Sequence, residues 1–139
     1  MFFESDYKVL TNEKIAKDVY KMELEGDTSH ITAPGQFINI KLEGKFLRRP
    51  ISVCDCNENV ITIIYKVVGE GTEQMSNISV GEMLNILTGL GNGYDISKSA
   101  KPLLIGGGVG VPPMYYLAKK LIESGQKPTA ILGFNTKDE

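Results

Sequence analysis

Two adjacent arginines, Arg48 and Arg49, are the residues of this sequence best suited to bind an anion. They are the only arginines in the chain, and the lysines are scattered. A guanidinium stays charged and presents a planar fork of donors that matches a phosphate. Pro50 favours an extended backbone at Arg49, and Ser52 adds a hydroxyl. We interpret Arg49-Pro50-Ile51-Ser52 as a strand edge lining a ligand groove. The alternative is an arginine pair at the mouth of an ordinary strand.

A glycine loop provides a second candidate anion site. The segment Val68-Gly69-Glu70-Gly71-Thr72 runs into Glu73-Gln74-Met75-Ser76, and we interpret it as a loop entering a short helix capped by Thr72. The amino end of a helix exposes free backbone N–H groups, which suit a phosphate. The alternative is a plain turn, in which the glycines only supply unusual dihedral angles.

A third glycine-rich segment opens the last part of the chain. Residues 102–105 are apolar, as in a strand buried on both faces, and Gly106-Gly107-Gly108-Val109-Gly110 follows. Apolar residues then recur at helical spacing over 113–124, and 129–134 predicts a second buried strand. A strand–helix–strand unit with a glycine-rich first turn is typical of pyrophosphate binding. However, Val111 stands where the third glycine is usual, so the alternative is a turn that only allows close helix–sheet packing.

The rest of the sequence predicts a β-rich unit that would position these segments. Short runs with β-branched or alternating residues, separated by turn signals, are typical of a barrel or a sandwich. The predicted strands cover residues 19–25, 37–42, 46–54, 60–68 and 83–87. We predict a first domain over residues 1–98 and the start of an α/β domain over residues 99–139. Because two parallel strands and one helix leave an open sheet edge, we expect this second domain to be incomplete.

Composition excludes several classes of function. The net charge of −2 argues against a nucleic-acid partner. No apolar run approaches the ~20 residues of a membrane span, and no secretory signal opens the sequence. Cys54 and Cys56 cannot complete a metal site alone, so we expect reduced structural thiols, no bound metal and a cytoplasmic location. His30 lies in a polar turn, where we expect a surface residue.

The motifs converge on a known family. Arg49-Pro50-Ile51-Ser52, Gly69-Glu70-Gly71-Thr72 and the segment from Leu104 to Pro113, in that order and spacing, resemble the ferredoxin–NADP reductase superfamily. The stretch Leu90-Gly91-Asn92-Gly93-Tyr94 and the Gly-Val-Pro-Pro sequence favour its subfamily of electron-transfer subunits of NAD-linked dihydroorotate dehydrogenase (class 1B). The resemblance implies an antiparallel, FAD-binding β-barrel followed by the first strand–helix–strand of an NAD-binding α/β domain.

The resemblance also implies roles for particular residues. Arg49 would contact the FAD diphosphate, and Ser52 the flavin or ribityl region. Ile51 stands where most members carry an aromatic residue stacked on the flavin, which fits a flavin that passes electrons onward or is drift within the subfamily. No side chain would act as a catalytic acid or base. The implied cofactor-binding residues are Arg49, Pro50, Ile51, Ser52, Lys66, Val67, Val68, Gly71, Thr72, Gly106, Gly107, Gly108 and Gly110.

The implied activity is that of an oxidoreductase subunit in pyrimidine biosynthesis. FAD would exchange a hydride with NAD(H), and electrons would reach an FMN-containing dihydroorotate dehydrogenase catalytic subunit through a [2Fe–2S] centre expected beyond residue 139. The expected assembly is a heterotetramer, and we expect the 139-residue chain alone to be inactive. The alternatives are another ferredoxin reductase-like NAD(P)H flavin reductase subunit, or a nucleotide-binding fragment without redox turnover.

Overall fold

The computed structural model describes residues 2–139, which form a large antiparallel sheet followed by a small parallel unit. The elements in this range are β1 (Phe3–Ala16), β2 (Val19–Glu25), β3 (Phe37–Ile40), β4 (Arg49–Ser52), β5 (Asp55–Asn57), β6 (Val60–Lys66), α1 (Glu70–Ser76), β7 (Met83–Leu90), β8 (Leu103–Gly107), a 3-10 turn (Gly108–Gly110), α2 (Val111–Glu123) and β9 (Thr129–Gly133).

The large sheet has seven strands in the order β4-β3-β7-β1-β2-β6-β5. Every pairing in it is antiparallel, and the sheet curls so that β4 approaches β6. Alternation along β6 buries Ile61, Ile63 and Tyr65, which is why this segment forms a strand with one core face. The result is a half-barrel of the kind that the sequence predicts, with β4 at one edge.

The longest strand, β1, is absent from the sequence-based prediction. Its residues are mainly polar, and only Tyr7 and Val9 are fully buried. It becomes a strand because β2 and β7 supply hydrogen-bond partners on its two sides. Pairing with these two strands therefore determines the secondary structure of a segment whose side-chain pattern does not predict a strand.

The predicted strand over residues 46–54 is too long. Only Arg49–Ser52 pairs with β3, and Phe46 and Leu47 lie in the preceding loop. Phe46 is fully exposed there. Residues 55–57 then form the separate strand β5 against β6. A turn at Glu58, which has a positive φ of 53°, connects β5 to β6.

In the parallel unit, α2 lies against β8 and confirms the predicted helix. Pro112 and Pro113 are buried in its first turn, where the missing N–H groups cost nothing. The prediction that both strands are buried on both faces is wrong. Leu103 and Ile105 are 55% and 67% exposed, and β9 is exposed along its length. The reason is that α2 covers one face of β8 and nothing within residues 2–139 covers the other.

The parallel unit is attached to the half-barrel through α2. Tyr116 is only 3% exposed and belongs to the apolar cluster of the half-barrel. Beside it, Lys119 Nζ lies 2.9 Å from Asp55 Oδ1 on β5. The boundary predicted between residues 98 and 99 falls in a stretch without helix or strand, and it stays a prediction. No helix of the described residues is long and apolar enough to cross a membrane.

Candidate functional site

Arg49 lies directly on the first turn of α1. A Cβ built on Gly71 would be 2.1 Å from Arg49 Nε and 2.6 Å from Cζ, so only glycine leaves room for the guanidinium. Arg49 Nη1 also donates to the carbonyl of Leu47. The contact fixes a positive charge beside the amino end of a helix, which is a suitable arrangement for an anion.

Arg48 has a different role from its neighbour. Its Nη1 donates to the carbonyls of Asn39 and Asn85 at 3.3 Å each, and its Nη2 donates to Asn85 Oδ1 at 2.5 Å. Glu4 lies 3.5 Å away on β1. Arg48 therefore joins β1, β3 and β7, and the two arginines do not act as one anion-binding pair.

Thr72 is not the N-cap of α1, because the helix is capped by Gly69. Thr72 Oγ1 instead accepts hydrogen bonds from the backbone N–H of Val68 at 2.8 Å and of Gly69 at 3.2 Å. The hydroxyl therefore stabilises the turn that enters the helix. The backbone N–H groups of residues 70–72 have no acceptor within residues 2–139, so they can donate to a ligand.

The charge near this helix end is mixed. Glu70 and Glu73 lie in the first turn of α1, where negative side chains are favourable. Lys45 Nζ lies 2.9 Å from Glu70 Oε2, and this hydrogen bond lowers the pKa of Glu70. With Lys45 offsetting Glu70, Arg49 is the cation that faces the free N–H groups of the turn.

The register of β4 places its residues on two faces. Ile51 lies opposite Ile38 and packs against the core, whereas Ser52 lies opposite Phe37. Ser52 therefore lies on the face opposite Arg49 and Ile51. Pro50 is exposed, and the Ser52 hydroxyl has no hydrogen-bond partner in the described part of the chain. Because β4 is an edge strand, a ligand can reach both faces around it.

The end of β6 reaches the same place. The N–H of Val67 donates to the carbonyl of Asp18 at 2.7 Å, and Val68, which is 79% exposed, connects directly to the turn before α1. Lys66 Nζ lies 2.6 Å from Glu139 Oε1, and this contact lowers the pKa of Glu139. The structure thus brings β4, the end of β6 and the start of α1 together.

The glycine turn after β8 contains glycines of two kinds. A Cβ on Gly106 would be 3.0 Å from both the Gly110 carbonyl and Met114 Cγ, so Gly106 is needed for close strand–helix packing. By contrast, a Cβ on Gly108 or Gly110 would face open space and one on Gly107 would meet only the Gly133 carbonyl at 4.0 Å, and Gly108 has a positive φ of 52°. Lys66 and Gly108 line one cavity of about 140 Å³, so the turn lies beside the end of β6.

The cysteines lie away from the glycine loops and do not form a metal site. Both are free, and burial raises the pKa of Cys54 to about 11 and raises that of Cys56. Within residues 2–139, no three His, Cys, Asp or Glu side chains lie close enough together to hold a metal ion.

Two contributions to the site have no signal in the sequence. The Arg49–Gly71 contact joins residues from different elements, and neither residue type reveals its partner. Asn12, on the unpredicted strand β1, hydrogen-bonds to the carboxyl end of α1. A polar residue in a polar segment gives no indication of such a long-range contact.

Sequence comparisons identify long matches among curated proteins, although no protein-family model matches. The electron transfer subunit of dihydroorotate dehydrogenase B (NAD(+)) from Fusobacterium nucleatum is 48% identical over 143 residues, covering 96% of this chain and 55% of the relative. The subunit of the same name from Bacillus mycoides is 40% identical, with 94% and 54% covered. The chain thus spans about half the length of the curated relatives it matches.

Solved structures share the fold. A chain of an NADH-dependent reduced ferredoxin-NADP oxidoreductase is 35% identical with a TM-score of 0.87, and the match covers 95% of this chain and 49% of that one. A ferredoxin reductase of carbazole 1,9a-dioxygenase has a TM-score of 0.88 at 23% identity, over 99% of this chain and 45% of that chain. The half-barrel with its strand–helix–strand unit is therefore ferredoxin reductase-like.

Proposed function

Since the chain is a homologue of dihydroorotate dehydrogenase B electron transfer subunits and has a ferredoxin reductase-like fold, we propose that it is a flavoprotein electron-transfer subunit. In this proposal the half-barrel binds FAD and the α/β unit approaches NAD(H). Electrons pass between NAD(H) and a dihydroorotate dehydrogenase catalytic subunit, in pyrimidine biosynthesis. The names of the relatives support the partner and the reaction.

The observation that carries the proposal is the close contact between the Arg49 guanidinium and Gly71. The guanidinium and the free N–H groups of residues 70–72 are donors to which a diphosphate offers acceptors, and the Ser52 hydroxyl, on the other face of β4, is a donor for the ribityl region. These residues fit the diphosphate and ribityl parts of FAD. Bound FAD would supply the conversion between hydride and single-electron transfer, and the protein would supply position and electrostatics.

The glycine turn after β8 supports the proposal that the α/β unit approaches NAD(H). Gly108 and Gly110 present backbone without side chains to open space, and Gly108 shares a cavity with Lys66 of β6. A dinucleotide at this turn would therefore lie next to the strand proposed to follow the flavin. Gly106, named with the others from sequence, has a packing role that explains it without a ligand.

The finer parts of the proposal concern the iron–sulfur centre, the partner subunit, the assembly and the location. We place a [2Fe–2S] centre outside residues 2–139, because Cys54 and Cys56 are buried or half-buried and have no further ligands nearby. In line with the family resemblance, we also propose an FMN-containing catalytic subunit as the partner and a heterotetrameric assembly. Free cysteines support a cytoplasmic location.

A second candidate function comes from the solved structures. The NADH-dependent reduced ferredoxin-NADP oxidoreductase at 35% identity supports another NAD(P)H flavin reductase subunit, with a different electron acceptor. The protein that copurifies with this chain distinguishes the two functions. A colourless preparation that does not take up FAD would instead support a non-redox nucleotide-binding role.

The test of the FAD site uses the two arginines as a matched pair. We expect the wild-type protein to bind FAD with visible flavin absorbance, and Arg49→Ala to weaken the affinity about 10- to 100-fold, since bonds to charged groups contribute about 1.5–3 kcal/mol. Arg48→Ala should keep near-normal FAD affinity and lower the thermal midpoint, because Arg48 bonds only to protein groups. Unchanged FAD affinity in Arg49→Ala would refute the assignment.

A further inference from the structure

Asn12 is a hydrogen-bonding hub between three elements. Its Nδ2 donates to the carbonyls of Met75 at 2.8 Å and Ile78 at 3.0 Å, at the carboxyl end of α1. Its Oδ1 accepts a hydrogen bond from the hydroxyl of Tyr65, on β6, at 2.7 Å. Both amide hydrogens and the amide oxygen are therefore used. Because carbonyls need donors, the main-chain carbonyls of Met75, in α1, and Ile78, just after it, fix which side of the amide carries the nitrogen.

The hub complements the apolar anchor of the same helix. Met75 is fully buried in the core of the half-barrel, but hydrophobic contact has no preferred direction. The hydrogen bonds of Asn12 are directional, so they set the orientation of α1 about that anchor. Tyr65, which is 1% exposed, is held by packing and stacks on Tyr20 with ring centroids 5.8 Å apart.

The orientation of α1 matters because its other end carries Gly71. The helix has seven residues, which corresponds to a length of about 10 Å. A displacement of its carboxyl end is transmitted to the first turn, where the backbone of Gly71 supports the Arg49 guanidinium. Asn12 can therefore affect that contact without touching a ligand.

We propose that Asn12 and Tyr65 are positioning residues that hold α1 so that Arg49 and the Gly71 backbone are aligned for the diphosphate of a flavin dinucleotide. This inference rests on the proposed FAD site. Tyr65→Phe removes only the hydroxyl group, so the Asn12 amide oxygen loses its donor while the two bonds of Nδ2 remain. Asn12→Ala removes the whole hub.

The experiment measures FAD dissociation constants of the purified chain by fluorescence titration, at a temperature where circular dichroism shows every variant folded. We expect FAD to bind Tyr65→Phe about 3- to 10-fold more weakly and Asn12→Ala more than 10-fold more weakly. Tyr20→Phe is the matched control, because Tyr20 stacks on Tyr65 without a bond to Asn12, and its affinity should stay within twofold.

A double-variant cycle separates positioning from general stability. If Asn12 acts through the Arg49–Gly71 contact, adding Asn12→Ala to Arg49→Ala should cost little further affinity. Additive losses, or wild-type affinity in both Tyr65→Phe and Asn12→Ala, would overturn the positioning role while leaving the FAD site intact. If the wild-type chain binds no FAD, the proposed function itself fails, and the positioning role fails with it. If Asn12→Ala does not fold, the same cycle with Tyr65→Phe decides.

Discussion

At the scale of single residues, environment rather than residue type decides function. Arg48 and Arg49 are adjacent and chemically identical, yet Arg48 bonds to protein groups on three strands and Arg49 lies on α1. Arg48 precedes β4 and Arg49 is the first residue of that strand, so the two neighbours meet different surroundings. Arg49 remains available to an anion. Gly71 leaves room for its guanidinium, because a Cβ at that position would overlap it.

Gly71→Ala tests that dependence. The added Cβ would lie 2.1 Å from Arg49 Nε, so the guanidinium must move, although alanine is the better helix former. We expect FAD affinity to fall about 10-fold or more, towards that of Arg49→Ala, because the same charge-assisted contact is lost. Ser76→Ala, at the far end of α1, is the control for helix propensity. Normal FAD binding in Gly71→Ala would show that Arg49 acts from another position.

Cys54 should be resistant to alkylation in the folded protein. Burial raises its pKa from 9.0 to about 11, which lowers the thiolate fraction at pH 8 about a hundredfold. We expect iodoacetamide to modify Cys54 far more slowly than in the unfolded chain, with the rate rising as the pH approaches 11. Because the folded protein holds the thiol proton more tightly than the unfolded chain, Cys54 makes its full contribution to stability below pH 9. That contribution is lost as the pH rises towards 11. In Cys54→Ser only Cys56 can react, so mass spectrometry assigns the two rates. Equal rates in folded and unfolded protein would contradict this environment.

At the scale of elements, two helices connect the candidate site to the half-barrel. The short helix α1 is anchored by Met75 and Asn12, and α2 is anchored by Tyr116 and Lys119. Each helix carries glycine-rich backbone at its amino end. The two anchors therefore determine how far apart the two proposed nucleotide sites lie.

Tyr116→Ala should loosen α2 from the half-barrel. Removing a large buried side chain costs about 3–5 kcal/mol, whereas Tyr116→Phe should cost little because the hydroxyl has no hydrogen-bond partner within residues 2–139. Lys119→Met removes a partly exposed ion pair with Asp55, which contributes only about 0.2–1 kcal/mol. Urea unfolding gives the stabilities, and limited proteolysis reports cleavage between residues 95 and 101. Equal stability of Tyr116→Ala and Tyr116→Phe would show that α2 does not depend on this contact.

At the scale of the whole molecule, the half-barrel and the parallel unit share part of one core. Tyr116 belongs to the same cluster as Tyr65 and Ile63, so the second unit is not simply tethered by a linker. The opposite face of the parallel sheet is exposed, with Ile105 and Ile131 at its centre. One side of the small unit is thus determined by the half-barrel, while its other side has no contact within the described residues.

The sequence by itself determined the order of the glycine segments, the helix α2 and most strands of the half-barrel. These features follow from local physics, because alternation, helical spacing, proline and glycine act within a few residues. The same local patterns supported the resemblance to ferredoxin reductases, whose fold is shared by the NADH-dependent reduced ferredoxin-NADP oxidoreductase chain at 35% identity.

Only the tertiary structure decided that Arg48 is held by protein groups on three strands, that β1 is a strand, and that Thr72 is not the N-cap of α1 but stabilises the turn entering it. It also decided that Asn12 holds α1. Each of these depends on groups far apart in sequence, as in the Asn12–Met75 bond across 63 residues. Local patterns contain no information about such partners, because strand pairing and side-chain packing are settled only when distant segments meet.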